Sequence, residues 1–297
     1  MGTPDYALSI LQSLIDDEDM DVVAVYTQPD KPVGRKKVMT SPNVKVLAEK
    51  NSIPIYQPKR LRGEDVVKEL LQIECDYIVV AAYGQILPKA ILDHAPCINL
   101  HASILPQYRG ASPIQQSLLN GDKESGVTAM LMDVGLDTGD ILQIERIAID
   151  KDEMLESLFY RLTDTASALT LEVLKNFNQL KAVKQDDKEA THCCKISKAD
   201  GEVQFDNALS LYNRYRAFTP WPGIYLQSGL KLKKIRLENS KIYTSAGKIL
   251  SVDSDSIVVS TLKGAIRIYT VQPPSKKEMK ILDYLNGARL SCDDILA

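Results

Sequence analysis

Two architectures in series are predicted: a doubly wound α/β domain with a mostly parallel sheet, then a small antiparallel β-barrel of the oligonucleotide-binding (OB-like) type. Three observations predict them. Near-continuous apolar runs alternate with helix-spaced patterns over the first 150 residues, as expected of strands covered on both faces by crossover helices. After Gly201 the pattern changes to short strands punctuated by glycine, the mark of a small all-β domain. The length, 297 residues, exceeds one typical domain and suits two.

In chain order, Gly2-Thr3-Pro4-Asp5 reads as a tight turn entering a helix, and Asp16–Asp21 as a solvated turn. Asp21–Thr27 and Asp76–Tyr83 are apolar enough for buried strands, with shorter ones at Cys97–Leu100 and Val127–Met132. Between them Val44–Lys50, Gly63–Ile73 and Ser112–Leu119 carry helical spacing. Glu153–Leu180 is a long amphipathic stretch with Leu155, Leu158, Phe159 and Leu162 on one face. The polar, Lys-rich run that follows reads as a linker, giving domains at 1–180 and 201–297 joined by residues 181–200. In the second, a helix at Asn207–Arg216 precedes strands near Ile224–Leu226, Lys231–Leu237, Ile249–Val252, Ile257–Ser260 and Ala265–Val271, with turns at Gly229, Gly247 and Gly264.

Composition excludes several classes. With 44% hydrophobic and 25% charged residues the chain can bury cores and is not disordered. It has no apolar run of about 18 residues, as a spanning helix needs, and no basic-then-apolar start, so neither a membrane protein nor a secretory signal is expected. Met1-Gly2 is followed by Tyr6 where myristoylation wants Ser or Thr. Five cysteines without a two-residue-spaced pair read as reduced cytosolic thiols, and His192-Cys193-Cys194 lacks a second ligand pair for zinc. Net charge is −3, divided as +4 over residues 200–297 and −7 before them. A mildly basic tail on an acidic body suits a polyanion partner.

Ligands of open α/β sheets bind beyond the carboxyl ends of strands, which directs attention to Asn99-Leu100-His101. Asn99 and His101, two apart on a strand, share a face. The strand near Val127 runs into Asp133–Asp140, a glycine-punctuated loop able to bring Asp137 over the same edge. An amide to bind an oxyanion, an imidazole to carry a proton and a carboxylate to orient it are what acyl transfer to an amine needs. The same residues also suit a strand-end histidine, a turn and a cap. There is no nucleophile-elbow Ser or Cys, so direct attack is expected, and no glycine fingerprint for a dinucleotide or ATP. Asp30–Ser41, with Lys31, Arg35, Lys36 and Lys37 around Pro32 and Gly34, is either a solvated loop or a flexible arm gripping a nucleic-acid backbone. Trp221, between two prolines, reads as a rigid packing element.

Six stretches carry a family: MGTPDYA (1–7), TQPDKPVG (27–34), AAYGQILP (81–88), INLHASILPQYR (98–109), DVGLDTGD (133–140) and RAFTPWPG (216–223). By them the chain resembles the methionyl-tRNA formyltransferase family over nearly its whole length. The resemblance implies a formyltransferase-like α/β domain with Asn99, His101 and Asp137 in the catalytic positions. It implies binding of the formyl donor, 10-formyltetrahydrofolate, by Ser103, Ile104, Leu105 and Pro106. The loop with Tyr83, Gln85, Ile86 and Leu87 would assist, as would the backbone of Val134–Asp137. Lys31, Arg35, Lys36 and Lys37 would contact the tRNA acceptor stem. It implies a cytoplasmic monomer acting on methionyl-initiator tRNA, with no metal and no membrane.

Relatives have a short apolar strand before the Gly-Thr-Pro-Asp turn, where this sequence begins. Met1 is therefore expected to be an internal methionine, and a chain truly starting there to have a weakened sheet and a poorly ordered N-terminus. Two other activities fit these residues: 10-formyltetrahydrofolate hydrolysis on the same three groups, and RNA binding without catalysis.

Overall fold

The computed structural model describes residues 1–34 and 36–296. The chain divides into two compact units: residues 1–113, 124–149 and 157–193 form the first, and 114–123, 150–156 and 194 onward the second. In chain order the elements up to the division are α1 (Asp5–Asp16), β1 (Val25–Tyr26), β2 (Lys31–Val33), β3 (Val38–Thr40), α2 (Asn43–Lys50), β4 (Ile55–Tyr56), α3 (Glu64–Leu70), β5 (Ile78–Val80), α4 (Lys89–Leu92), β6 (Cys97–His101), β7 (Arg109–Gly110), α5 (Pro113–Asn120), β8 (Glu124–Leu131), β9 (Ile141–Ala148), α6 (Leu155–Asn176) and β10 (His192–Cys193). Helix spacing explains the long helices: α6 buries Leu158, Leu162, Ala166, Leu169 and Val173 along one stripe. In α1, Tyr6, Ala7, Ile10 and Leu11 are buried, and the Tyr6 ring meets Phe159.

The first unit's sheet differs from expectation. β1–β4 and β5–β6 are parallel, but β8 runs antiparallel to β6, and β9 antiparallel to β8. The four-stranded sheet β5-β6-β8-β9 is thus parallel at one edge and antiparallel over the rest, with β1 and β4 forming a separate parallel pair. The residues allow both directions: the middle of β8, Ser125–Met130, is buried on both faces, and an apolar run does not encode strand direction. The sequence 181–193, expected as a linker, is part of this unit. Val183 exchanges both backbone hydrogen bonds with Ile141 at 2.8 Å, and β10 pairs with β7.

The N-terminus is tied on both sides. Gly2 N–H donates to Tyr26 O at 3.0 Å, Ala81 N–H to Met1 O at 2.9 Å, and the Met1 ammonium to Val79 O at 2.6 Å. Met1 and Gly2 therefore bridge β1 and β5, where looseness was expected. Beside them lies a cleft of about 760 Å³ lined largely by apolar groups, Val23, Val25, Leu70, Ile73 and Ile78 among them.

Besides most of α5, the second unit contains α7 (Ala208–Phe218), β11 (Ile224–Tyr225), β12 (Lys231–Ile242), β13 (Ile249–Val252), β14 (Ile257–Ser260), β15 (Lys263–Gln272), β16 (Met279–Lys280) and α8 (Ile281–Ala288). The Asn207 side chain caps α7 by accepting from Ser210 N–H at 3.1 Å. The strands form one antiparallel sheet in the order β11-β12-β15-β14-β13, with β16 also on β15. Among the described residues no pairing joins β11 to β13, so the expected closed barrel is not formed. Gly229, Gly247 and Gly264 all adopt positive φ at turns, which is why glycine occupies them. Trp221, expected to pack, is 59% exposed.

Candidate active site

All five residues of β6 are buried, so Asn99 and His101 are set on a strand that cannot shift without opening the core. Asn99 lies opposite Met130 and His101 opposite Thr128. The chain leaving β6 is fastened by that threonine: Thr128 Oγ1 donates to Ser103 O at 2.7 Å and accepts from Leu105 N–H at 3.1 Å. Ser103 Oγ donates to Gln107 O at 2.6 Å. Tyr108, with φ +60°, turns its carbonyl to His101 Nε2 at 2.9 Å. A carbonyl only accepts, so Nε2 carries hydrogen, and in the neutral ring Nδ1 presents its lone pair.

That lone pair faces Asp137, whose Oδ2 is 3.7 Å from Nδ1. Asp137 Oδ1 lies 3.5 Å from Asn99 Nδ2, and Oδ2 accepts from Gly110 N–H at 2.8 Å. The three predicted groups therefore meet, with the His101 and Asp137 side chains only 7% and 12% exposed. They meet by an unexpected route. Because β8 is antiparallel to β6, the 133–140 loop starts at the opposite end of β6, with Met132 N–H on Cys97 O at 2.8 Å. It folds back along the strand face rather than over a shared carboxyl edge.

The loop is built for that return. Asp133 Oδ1 accepts from Gly135 N–H at 2.9 Å and Thr138 Oγ1 at 2.6 Å. Asp137 takes φ +55°. A Cβ on Gly139 would sit 1.6 Å from Leu131 O, so only glycine fits. A buried Arg109 joins the structure from β7. Its Nε donates to Gln185 Oε1 at 3.0 Å, and its Nη2 forms an ion pair with the exposed Asp187 at 2.9 Å that lacks hydrogen-bond direction. Thr128 and Gln185 were missed in the sequence. Thr128 left one signal, a hydroxyl inside an otherwise apolar strand.

The remaining predicted residues are spread by role. Tyr83 is buried, which pushes its phenol up to about 12, and Leu87 and Leu105 are core residues. Gln85 accepts from Leu61 N–H at 2.7 Å and donates to Pro58 O at 3.2 Å. Ile86 stands 60% exposed, and Ile104 and Pro106 are half-buried. The basic arm is a β-hairpin, β2 on β3, with Lys31, Lys36 and Lys37 exposed; Arg35 lies outside the described residues. Asp30 anchors the hairpin base, accepting from Lys45, Gln57 and Ser41. The Gln57 and Lys45 bonds hold its carboxyl down at about 2. No group of three or more His, Cys, Asp or Glu side chains among the described residues could hold a metal, and no helix among them is long and apolar enough to cross a membrane.

Comparison with known proteins gives this geometry a class. Residues 1–174 match the formyl transferase family and residues 195–289 its C-terminal domain. A crystal structure of an N-formyltransferase from Helicobacter canadensis, in complex with folinic acid and dTDP-3-aminofucose, has the same fold. Its TM-score is 0.69 at 18% identity, covering 91% of this chain and 97% of that one. The chain belongs to the methionyl-tRNA formyltransferase family. It is 62% identical to the enzyme of that name from Sulfurimonas denitrificans, over 100% of this chain and 98% of the relative. It is 49% identical to that of Wolinella succinogenes, over the same shares of each.

Proposed function

We propose that this protein transfers the formyl group of 10-formyltetrahydrofolate to the α-amino group of methionyl-initiator tRNA. The observation that carries the reading is the meeting of Asn99, His101 and Asp137 on β6, in a chain 62% identical to a relative bearing that activity's name. The donor supplies a formyl carbon on a nitrogen that leaves once protonated. Exposed Ile86 and half-buried Ile104, beside main-chain groups, suit a flat heterocycle with an apolar face. Ser103, Leu105, Pro106, Tyr83, Gln85 and Leu87 would support that binding from the loops that carry them.

As the amine attacks, one C–N bond forms and negative charge gathers on the former carbonyl oxygen. Asn99 Nδ2 donates to that oxygen. His101 Nδ1 takes the proton shed by the amine and returns one to the departing nitrogen, so the C–N bond to the donor breaks without net proton loss. Asp137 stabilises the transient imidazolium. Such donors act strongest in a site shielded from water. Lys31, Lys36 and Lys37, with Arg35, would grip the acceptor stem. The exposed Lys231, Lys234 and Arg236 of β12, on the second unit's antiparallel sheet, would add a second basic surface. The reading places the protein in the cytoplasm as a monomer, with catalysis and acceptor-stem contact in residues 1–193 and further RNA contact from 201 onward.

The test is formylation of charged initiator and elongator tRNAs with 10-formyltetrahydrofolate. Formyl-methionyl-tRNA is expected from the initiator. Formate release that ignores charged tRNA would make the protein a hydrolase and overturn the reading.

A further inference from the structure

We infer that Gln185, with Arg109 behind it, is the positioning residue that holds Asp137 in place; the inference rests on the site proposed above. Gln185 lies in the polar segment between Val183, tied to Ile141, and β10, tied to β7. Its Nε2 donates to the carbonyls of Asp137 at 2.9 Å and Gly139 at 2.7 Å, which uses both amide hydrogens. Its Oε1 accepts from Arg109 Nε at 3.0 Å. The residue after Arg109, Gly110, donates its N–H to the Asp137 carboxylate at 2.8 Å. Asp137 is thus gripped at its main chain through Gln185 and at its side chain through Gly110, both ends leading to one short strand.

Such a grip is needed because Asp137 occupies a left-handed conformation, φ +55°, that a non-glycine residue keeps only under outside constraint. The loop's own bonds, accepted by Asp133 from Gly135 N–H and Thr138 Oγ1, close a turn around Asp137 without reaching its carbonyl. The isosteric change Gln185→Glu isolates the effect. It keeps an acceptor for Arg109 and replaces the two donated hydrogen bonds with lone pairs facing two carbonyls.

The experiment compares Gln185→Glu, Asp137→Asn, the double variant and His101→Ala in the full-length protein. A misplacement of about 1 Å costs about a hundredfold in rate, so kcat of Gln185→Glu is expected to fall about that far while both KM values stay within about threefold. Adding Gln185→Glu to Asp137→Asn should lower kcat by less than about threefold more, since both act through one carboxylate. Hydrogen exchange, which needs no turnover, should quicken at amides 135–140 and stay unchanged at 125–131. Wild-type kcat in Gln185→Glu, full additivity in the double variant, or unchanged exchange in the loop overturns the inference. Normal turnover in His101→Ala instead removes the proposed site itself, which separates the two failures.

Discussion

In a chain that begins at Met1, the terminal ammonium makes stability depend on pH in a calculable way. Its side chain is half-buried, but the charged nitrogen is enclosed between β1 and β5, with Val79 O as its acceptor. Burial lowers its pKa from the ordinary 8.0 to about 6, against a weak opposing effect of Cys97. Below pH 6 the amine is charged in both states, and the folded state carries the whole desolvation penalty. Between 6 and 8 only the unfolded chain binds the proton, so stability rises with pH. Above 8 both states are neutral and the penalty is gone. A fall from 8.0 to about 6 corresponds to about 3 kcal/mol, a large share of the roughly 5–15 kcal/mol typical of a whole domain.

Urea unfolding of a chain with a free Met1 amine and of its N-acetylated form, at several pH values from 5.5 to 8.5, measures this directly. The difference in unfolding free energy between the two forms is expected to change by about 2–3 kcal/mol across that range. Other titrating groups cancel in the difference. A third form, extended ahead of Met1 by five Val- and Ile-rich residues, moves the amine away and fills the 760 Å³ cleft. It should show no such slope and be more stable at every pH, each buried side chain contributing about 1.5–3 kcal/mol. A difference between free and acetylated forms that is flat with pH would refute the reasoning.

Other outcomes concern the site. Asn99→Ala and His101→Ala should each lower kcat about a hundredfold to a thousandfold with tRNA affinity nearly unchanged; single-turnover formylation and filter binding read the two quantities. Gly139→Ala must displace the loop, since a methyl group would lie 1.6 Å from Leu131 O. It should cost about a hundredfold in kcat/KM, and wild-type kinetics would contradict the close approach. Lys36→Glu with Lys37→Glu should weaken tRNA binding and flatten its salt dependence. An unchanged salt slope would take the hairpin out of the interface.

The sequence made β6 and its two polar residues readable, because a two-residue spacing on an apolar strand leaves little freedom of direction. It also marked the 133–140 loop through its glycines. Strand direction was not readable. β8 is apolar on both faces, and β9 buries only Leu142 fully, so nothing separates a meander from a crossover. The arm gave no strand signal because all six residues of β2 and β3 are exposed and show no alternation of burial. Residues 181–193 looked like a linker because they act through backbone and side-chain hydrogen bonds to carbonyls, which polar composition does not distinguish from solvation.

The antiparallel β8 links these two blind spots. A loop after a parallel strand would emerge at the carboxyl end of β6, close to His101, and would be held by its own two ends. Here the loop leaves at Cys97 and rejoins the sheet at Asp140, where Leu131 N–H meets Asp140 O at 2.9 Å. Both its ends are therefore far along β6 from the imidazole it must reach. A carboxylate at the tip of such a loop has no covalent reason to stay over His101. The constraint has to come from neighbours across the fold, and β7 with Gln185 provides it from the other side of the site. The segment that reads as dispensable spacer is thus the one the inverted strand makes necessary. Lengthening the chain between Val183 and Gln185 by one residue should then lower turnover as strongly as removing the glutamine amide.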